Sequence, residues 1–377
     1  MFGFLLASAS TLLFLYVGWR FASLPAVARR VPRRWLIGIG VALWAGLSAA
    51  LVLAHDGAGA LTGSLELIGM TAMASLFLAT VPLLALDLVT GFGLLLPRKA
   101  PVLRRAALVA GGVMSVVALV QGFRSPAVSS FEVSLPGLPA ALDGTVLVAM
   151  SDLHLGAQLD ARWLAARVAQ VEALRPDLLV LLGDLFEGHG RPQGELLPGL
   201  SRLSAPLGVW AVTGNHELHG RDDSTQRVVD RAGIQLLRDR WVEVRPGLIL
   251  AGVDGLDHER RPDERGDAIS RALAGRPPGA TVFLSHNPWQ VETAARAGVG
   301  LMLSGHTHGG QIWPFDLLVR VAYPLLAGRY RVDGMTVLVC RGTGTWGPRM
   351  RLWRRSEILR VVLRSSPPEG QLSDSDG

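Results

Sequence analysis

Cysteine is almost absent from this sequence, since Cys340 is the only one in 377 residues. A single cysteine cannot form a disulfide within the chain, so a disulfide framework is excluded and cysteine usage does not identify the compartment. Any metal site must therefore be built from histidine, asparagine and carboxylate side chains.

Net charge is absent from the part of the chain after Gly122, where 28 basic residues face 28 acidic ones. The formal charge of +6 comes entirely from residues 1–122, which hold nine basic and three acidic residues. The excess of positive charge behind the high isoelectric point therefore does not lie in the larger part of the chain. For this reason no nucleic-acid partner is expected.

Charges are also scarce in four long apolar stretches, at residues 2–19, 35–54, 67–86 and 106–122. Each is close to the roughly 17–25 residues that a helix needs to cross a bilayer. We therefore predict a transmembrane region of about four helices in residues 1–122, with the lipid bilayer as a partner. Asp87 lies beyond the third stretch and is interpreted as a helix-end residue rather than an intramembrane functional acid.

The loops between these stretches differ in charge. The first holds five arginines and the third holds Arg98, Lys99, Arg104 and Arg105, whereas the second has no fixed positive charge. Basic loops favour the cytoplasmic side. Four spans then predict an integral protein of a bacterial inner (cell) membrane with the rest of the chain on the extracytoplasmic side. If residues 2–19 are not inserted, or residues 67–96 form a re-entrant hairpin, the prediction reverses.

Residues 123–142 are predicted to be a linker because they contain three prolines, and residues 365–377 to be a disordered tail rich in serine and aspartate. Between them, in residues 143–364, strand-length apolar runs alternate with helical patterns such as 161–174 and 288–297. This alternation predicts an α/β fold. The runs are 145–150, 178–182, 208–213, 248–253, 281–284, 301–303 and 335–340.

Polar side chains follow five of these runs, where α/β proteins place their sites. They are two aspartates, one asparagine and five histidines: Asp152, His154, Asp184, Asn215, His216, His286, His306 and His308. These groups suit Zn, Mn or Fe. Each isolated match has an ordinary alternative, such as a helix cap, a turn or a polar core residue, but five matches in order indicate one divalent-metal site.

The motifs Asp152-x-His154, Gly183-Asp184, Gly214-Asn215-His216, His286 and Gly305-His306-x-His308 resemble those of calcineurin-like metallophosphoesterases. The resemblance covers about residues 144–363. The string from Gly305 to Gln311 is similar to the bacterial branch that contains the YaeI and YkuE phosphodiesterases. Glu187 replaces an aspartate that many members have, which affects only the surroundings of the ligands.

This resemblance implies a four-layer αββα sandwich that binds two divalent ions, of Mn, Fe, Zn or Mg. The first ion would be held by Asp152, His154, Asp184 and His308. The second would be held by Asp184, Asn215, His286 and His306, so that Asp184 bridges the pair. His216 would be catalytic, giving a proton to the leaving group after attack of a metal-bridging hydroxide on the phosphate ester.

The sequence therefore predicts a membrane-anchored metal-dependent phosphoric ester hydrolase, a phosphodiesterase or phosphatase, acting at the membrane surface on a lipid-linked or envelope phosphate ester. Two alternatives stay open. One is a hydrolase of soluble nucleotides or phosphomonoesters that is merely tethered to the membrane. The other is a scaffold that has the fold without the chemistry.

Overall fold

The computed structural model describes residues 2–55, 60–187, 193–218, 224–254 and 262–365. The predicted disordered tail lies outside the described residues, apart from Ser365. Five helices come first: α1 (Phe2–Ala22), α2 (Pro25–Arg30), α3 (Arg33–His55), α4 (Ala60–Val89) and α5 (Ala100–Phe123). The four apolar stretches are thus all helical.

Two of the described helices are long and apolar enough to cross a membrane, namely α4 over Gly63–Val89 and α5. They indicate a membrane protein, and the count of four spans stays a prediction. The helix-end interpretation of Asp87 is confirmed, because the residue lies in the last turn of α4. Its carboxylate is buried and accepts hydrogen bonds from Arg20 Nε at 2.6 Å and Tyr16 Oη at 2.5 Å.

Twelve strands are described in the rest of the chain: β1 (Ala127–Leu135), β2 (Val146–Met150), β3 (Leu178–Leu181), β4 (Val209–Ala211), β5 (Gln235–Leu236), β6 (Arg240–Arg245), β7 (Leu248–Gly252), β8 (Ala280–Leu284), β9 (Leu301–Ser304), β10 (Gly328–Val332), β11 (Met335–Val339) and β12 (Glu357–Ser365). They form two six-stranded sheets, in the orders β1-β12-β2-β3-β4-β5 and β10-β11-β9-β8-β7-β6. The centres of both sheets are parallel, β2 to β5 in one and β7, β8, β9 and β11 in the other.

The predicted linker at 123–142 is wrong over β1, which pairs in parallel with β12 along nine residues. In this segment alternate residues face inward, ending with fully buried Val133 and Leu135. That period of two is the pattern of a half-buried strand. The prolines lie outside the strand, so they do not interrupt its hydrogen bonds, and the α/β domain begins before residue 143.

The two sheets pack face to face, and their inner faces share one apolar core that includes Leu147 and Val180 from the first sheet and Leu250 and Val282 from the second. Helices cover both outer faces. The helices described after α5 are α6 (Ala161–Ala173), α7 (Leu197–Leu200), α8 (Asn215–Leu218), α9 (Ser224–Arg231), α10 (Pro262–Leu273), α11 (Val291–Arg296) and α12 (Phe315–Ala322). α6, α7 and α9 pack on the first sheet, and α10 and α11 on the second. The predicted four-layer αββα architecture is confirmed.

Candidate metal centre

The eight predicted site residues lie at one end of the two sheets. Each follows the carboxyl end of β2, β3, β4, β8 or β9, and these strands are parallel within their own sheet. The carboxyl ends of parallel strands open at a single edge, where loops can bring side chains together. The structure brings all of the predicted metal ligands into two adjoining clusters.

The first cluster contains Asp152, His154 and His308. The two histidine Nε2 atoms are 3.1 Å apart, and His308 Nε2 is 3.4 Å from Asp152 Oδ1. All three side chains are buried. Imidazole and carboxylate groups therefore face a common point.

The second cluster contains Asp184, His286 and His306, with Asn215 beside them. His286 Nε2 is 3.2 Å from Asp184 Oδ2 and 3.1 Å from His306 Nδ1. Asn215 Oδ1 lies 3.0 Å from the same His306 atom. Asp184 Oδ2 is also 3.8 Å from His154 Nε2, so this carboxylate reaches both clusters.

These residues are compatible with the binding of divalent metal. Facing imidazole nitrogens at 3.1 Å can share at most one proton, so such pairs suit a shared cation. The set of imidazole nitrogens, carboxylate oxygens and one amide oxygen suits Zn, Mn or Fe. Asp184 lies between the two clusters.

The backbone at the site adopts an uncommon conformation. Five of the predicted ligands have φ between 45° and 70°: Asp152, His154, Asp184, His306 and His308. Such left-handed conformations cost non-glycine residues on the order of 1–3 kcal/mol each and cluster at functional sites. The loops thus stay strained so that these side chains converge.

Three of the imidazole rings make a further contact through the nitrogen that points away from the cluster, and this contact orients the ring. His154 Nδ1 is 2.9 Å from Glu187 Oε2, His286 Nδ1 is 2.7 Å from the Leu182 carbonyl oxygen, and His306 Nε2 is 2.7 Å from Tyr323 Oη. In each ring the other nitrogen faces the cluster. Partners of this kind fix the tautomer and orientation of a metal-binding histidine. Glu187, the departure from the family pattern, therefore reaches His154 itself.

Glu217 is a supporting residue that sequence analysis missed. Its carboxylate accepts hydrogen bonds from the backbone N–H groups of Asp184 (2.9 Å), Leu185 (2.7 Å), Phe186 (3.3 Å) and Gly214 (2.7 Å). It ties the loop after β3 to the loop after β4. The only sequence feature that points to Glu217 is its position directly after Asn215-His216.

Arg351 was missed as well, because it stands in a run of basic and aromatic residues that resembles a surface segment. The guanidinium is fully buried and donates to the carbonyl oxygens of His308 at 3.1 Å, Arg341 at 2.7 Å and Gly344 at 2.9 Å. The side chain therefore fixes the loop that presents His308.

Four of the histidines fall into two electrostatic classes. Burial lowers the pKa of His154 and His286, but nearby carboxylates outweigh it, chiefly Glu187 for the first and Asp184 for the second, and raise the pKa values to about 9 and about 10. Burial, together with neighbouring cationic groups, lowers the pKa of His306 to about 3 and that of His308 well below its usual range.

His216 lies beside both clusters. Its ring meets the His154 ring edge to face, with centroids 4.7 Å apart, and its backbone N–H donates to Asp184 Oδ1 at 2.9 Å. A nitrogen of its ring also lies within 4.8 Å of ligand atoms of His154 and Asp184. The imidazole is thus close enough to act on a group held between the clusters.

Comparison with known proteins agrees with this geometry. The family model for calcineurin-like phosphoesterases matches residues 145–310. A Danio rerio "Transmembrane protein with metallophosphoesterase domain" is 34% identical over 272 residues, which cover 69% of this chain and 62% of that protein. A similarly named Bos taurus protein is 32% identical, with 72% and 64% covered. The chain thus spans less than two thirds of the length of these two relatives.

A metallophosphoesterase of Aquifex aeolicus is 31% identical over 252 residues, and the match covers 63% of this chain and 91% of that one. The resemblance to YkuE also holds, because the Bacillus subtilis metallophosphoesterase of that name is 28% identical over 240 residues. The ordered motifs, the two packed sheets and these similarities agree, and the chain belongs to the calcineurin-like metallophosphoesterase family.

Proposed function

We propose that this protein is a membrane-anchored phosphoesterase that uses two divalent ions to hydrolyse a phosphodiester or phosphomonoester. The observation that carries the proposal is the pair of adjoining ligand clusters with Asp184 between them. Two such positions suit displacement at phosphorus, because a metal pair can stabilise both the attacking and the leaving oxygen.

The roles of the residues follow from their places. Asp152, His154 and His308 would hold one ion, and Asn215, His286 and His306 the other, with Asp184 shared. When bound, the ions would activate the attacking water and neutralise charge on the phosphate oxygens. His216 would donate a proton to the leaving oxygen, a contribution worth about 10²–10⁴-fold in rate.

A lipid-linked or envelope phosphate ester is the preferred substrate class, because the catalytic domain packs directly on the two candidate membrane helices. Soluble nucleotides or phosphomonoesters form the second candidate, in which the helices are only a tether. A non-catalytic scaffold is disfavoured, since the ligand set and His216 are complete.

The test is hydrolysis of bis(4-nitrophenyl) phosphate and 4-nitrophenyl phosphate by the purified full-length protein in detergent. We expect activity that a chelator abolishes and Mn²⁺ or a similar ion restores. Comparing the two substrates decides between diester and monoester preference. Absence of both activities in protein shown to contain its metal ions would favour the scaffold.

A further inference from the structure

An apolar surface borders the metal centre at α12. We define the α12 surface as Trp313, Phe315, Leu317, Leu318 and Val321, whose exposed fractions are 40%, 42%, 58%, 64% and 84%. The helix begins seven residues after His308 and is followed by Tyr323, which contacts His306. Five large apolar side chains on one short segment are unusual for a surface in water.

This surface is continuous with the candidate membrane helices. The Phe315 ring meets Phe77 of α4 edge to face, with centroids 6.3 Å apart. Beside this contact, Ile312, Met350 and Leu352 share an apolar cluster with Ala74, Leu78 and Ala118 of α4 and α5. The backbone N–H of Arg351 also donates to the Ala118 carbonyl oxygen at 2.8 Å.

Helix geometry gives the depth of these contacts. Asp87 is paired with Arg20 and lies 3.9 Å from Arg104, which marks the helix ends beside the basic loops. At about 1.5 Å per residue, Phe77 is about 15 Å from this level along α4, and Ala118 is about 21 Å from Arg104 along α5. The hydrocarbon layer is about 30 Å thick. The contact of Phe77 with α12 and the contact of Ala118 with Arg351 therefore both fall inside that layer.

The metal centre adjoins α4 at a greater height. Glu66 of α4 lines a small cavity with His154 and Glu187, and Gly63 lies so close to Ala157 that a Cβ on it would be 2.6 Å from the Ala157 Cβ. Glu66 is about 32 Å from Asp87 along the helix. That distance corresponds to the headgroup region, just outside the hydrocarbon.

We propose that the α12 surface inserts into the leaflet that adjoins the catalytic domain and holds the metal centre at the depth of the lipid phosphates. The occupant of this surface is the acyl-chain region of the same bilayer that α4 and α5 cross. The site then takes the phosphate ester of a lipid that stays in the membrane plane. This last part rests on the proposed phosphoesterase activity.

Insertion is tested by spin labelling of the full-length protein in nanodiscs of phosphatidylcholine and phosphatidylglycerol. Leu318→Cys and Val321→Cys accept the label, and the buried Cys340 makes the unsubstituted chain a labelling blank. Asp333→Cys is the matched control, because it lies in the β10–β11 turn, at the strand ends opposite the metal centre.

The measured quantity is the ratio of the label's collision rate with oxygen to its collision rate with a water-soluble nickel complex. We expect this ratio to be several-fold higher at Leu318 and Val321 than at Asp333. Equal ratios at the three positions would overturn the inference. Dipolar broadening that disappears on dilution with unlabelled protein would also overturn it, since it would indicate that a second copy of the chain covers the surface.

The substrate part is tested with vesicles of phosphatidylcholine that contain phosphatidic acid or phosphatidylglycerol as probes. We expect the wild type to hydrolyse a lipid probe, and Leu318→Glu with Val321→Glu to slow this about tenfold or more, because charged side chains are expelled from hydrocarbon. Arg320→Glu, on the same helix and with the same total charge change, should stay near the wild-type rate.

Hydrolysis of soluble bis(4-nitrophenyl) phosphate by each variant separates this inference from the proposed function. We expect it to be unchanged in all of them. If the metal-loaded wild type does not hydrolyse this soluble substrate, the phosphoesterase proposal is refuted. Soluble activity without hydrolysis of either lipid probe, or equal lipid rates in all variants, would refute only the lipid-phosphate inference.

Discussion

His216 contacts the rest of the site through two separate groups, its backbone amide and its imidazole ring. The amide donates to Asp184, whereas the ring lies against His154. His216→Ala removes only the ring, so we expect kcat to fall about 10²–10⁴-fold while the metal content stays at the wild-type level. Asp184→Ala, by contrast, should lose metal.

Steady-state kinetics and elemental analysis of the two variants check this assignment. An empty metal position in His216→Ala would show that His216 is a ligand, which its distance from His154 and Asp184 also permits.

The two classes of histidine predict how metal affinity depends on pH. Without metal, His154 and His286 bind protons below pKa values of about 9 and 10, and an imidazolium cannot bind a cation. Metal binding must displace these protons, so Mn²⁺ affinity should rise from pH 6 to pH 8, by roughly tenfold per pH unit for each proton displaced. His306 and His308 are already neutral there and add no dependence.

Titration of the metal-free protein with Mn²⁺ at several pH values measures this slope. A constant affinity over that range would contradict the electrostatic account of the two clusters.

At the scale of elements, β1 supplies the sharpest test of where the catalytic domain begins. Val133 is fully buried in the core between the sheets, whereas Val128 on the opposite face of the same strand is 39% exposed. Val133→Asp buries a charge without a partner and should lower the free energy of unfolding by at least about 3 kcal/mol. Val128→Asp is the matched control and should change it little.

Thermal or denaturant unfolding of the two variants in detergent compares these effects. If both substitutions change the free energy of unfolding equally little, residues 123–142 behave as the linker that their prolines suggested.

Strands buried on both faces could be predicted from the sequence, because continuous apolar runs such as β3 and β8 are typical of central parallel strands. The five strands that were missed are β1, β5, β6, β10 and β12. β5 has only two residues, and β6 and β10 have mostly exposed or half-buried side chains with little apolar signal. β12 carries arginines within its apolar run, which hid a strand paired on both sides.

The candidate ligands could be picked out from the sequence because each stands directly after a recognisable strand, and the structure brings them together. The residues that support them could not, since their roles arise from contacts between distant segments. Tyr323 meets His306 from the end of α12, and Arg351 reaches the loop of His308 from 43 residues away in sequence. Neither the spacing of these residues in the sequence nor their type predicts such a contact.

At the scale of the whole molecule, we expect the catalytic domain to lie outside the cytoplasm. The pairing of Asp87 with Arg20 and its approach to Arg104 place both basic loops at one end of the helices, which agrees with a common cytoplasmic side. α4 is a single uninterrupted helix, which argues against a re-entrant hairpin. With four spans, the domain returns to the opposite side.

Reporters fused after Gly377 decide this topology. An active alkaline phosphatase and a dark green fluorescent protein are expected. The opposite result would refute the four-span arrangement and leave the enzymatic proposal untouched.

We propose that the metal centre holds two ions that share Asp184. Elemental analysis of the purified full-length protein, compared with Asp152→Ala and Asp184→Ala, measures this metal content. About two divalent ions per chain are expected in the wild type, about one in Asp152→Ala and nearly none in Asp184→Ala. One tightly bound ion per wild-type chain, with full phosphoesterase activity and no requirement for a second, would contradict it.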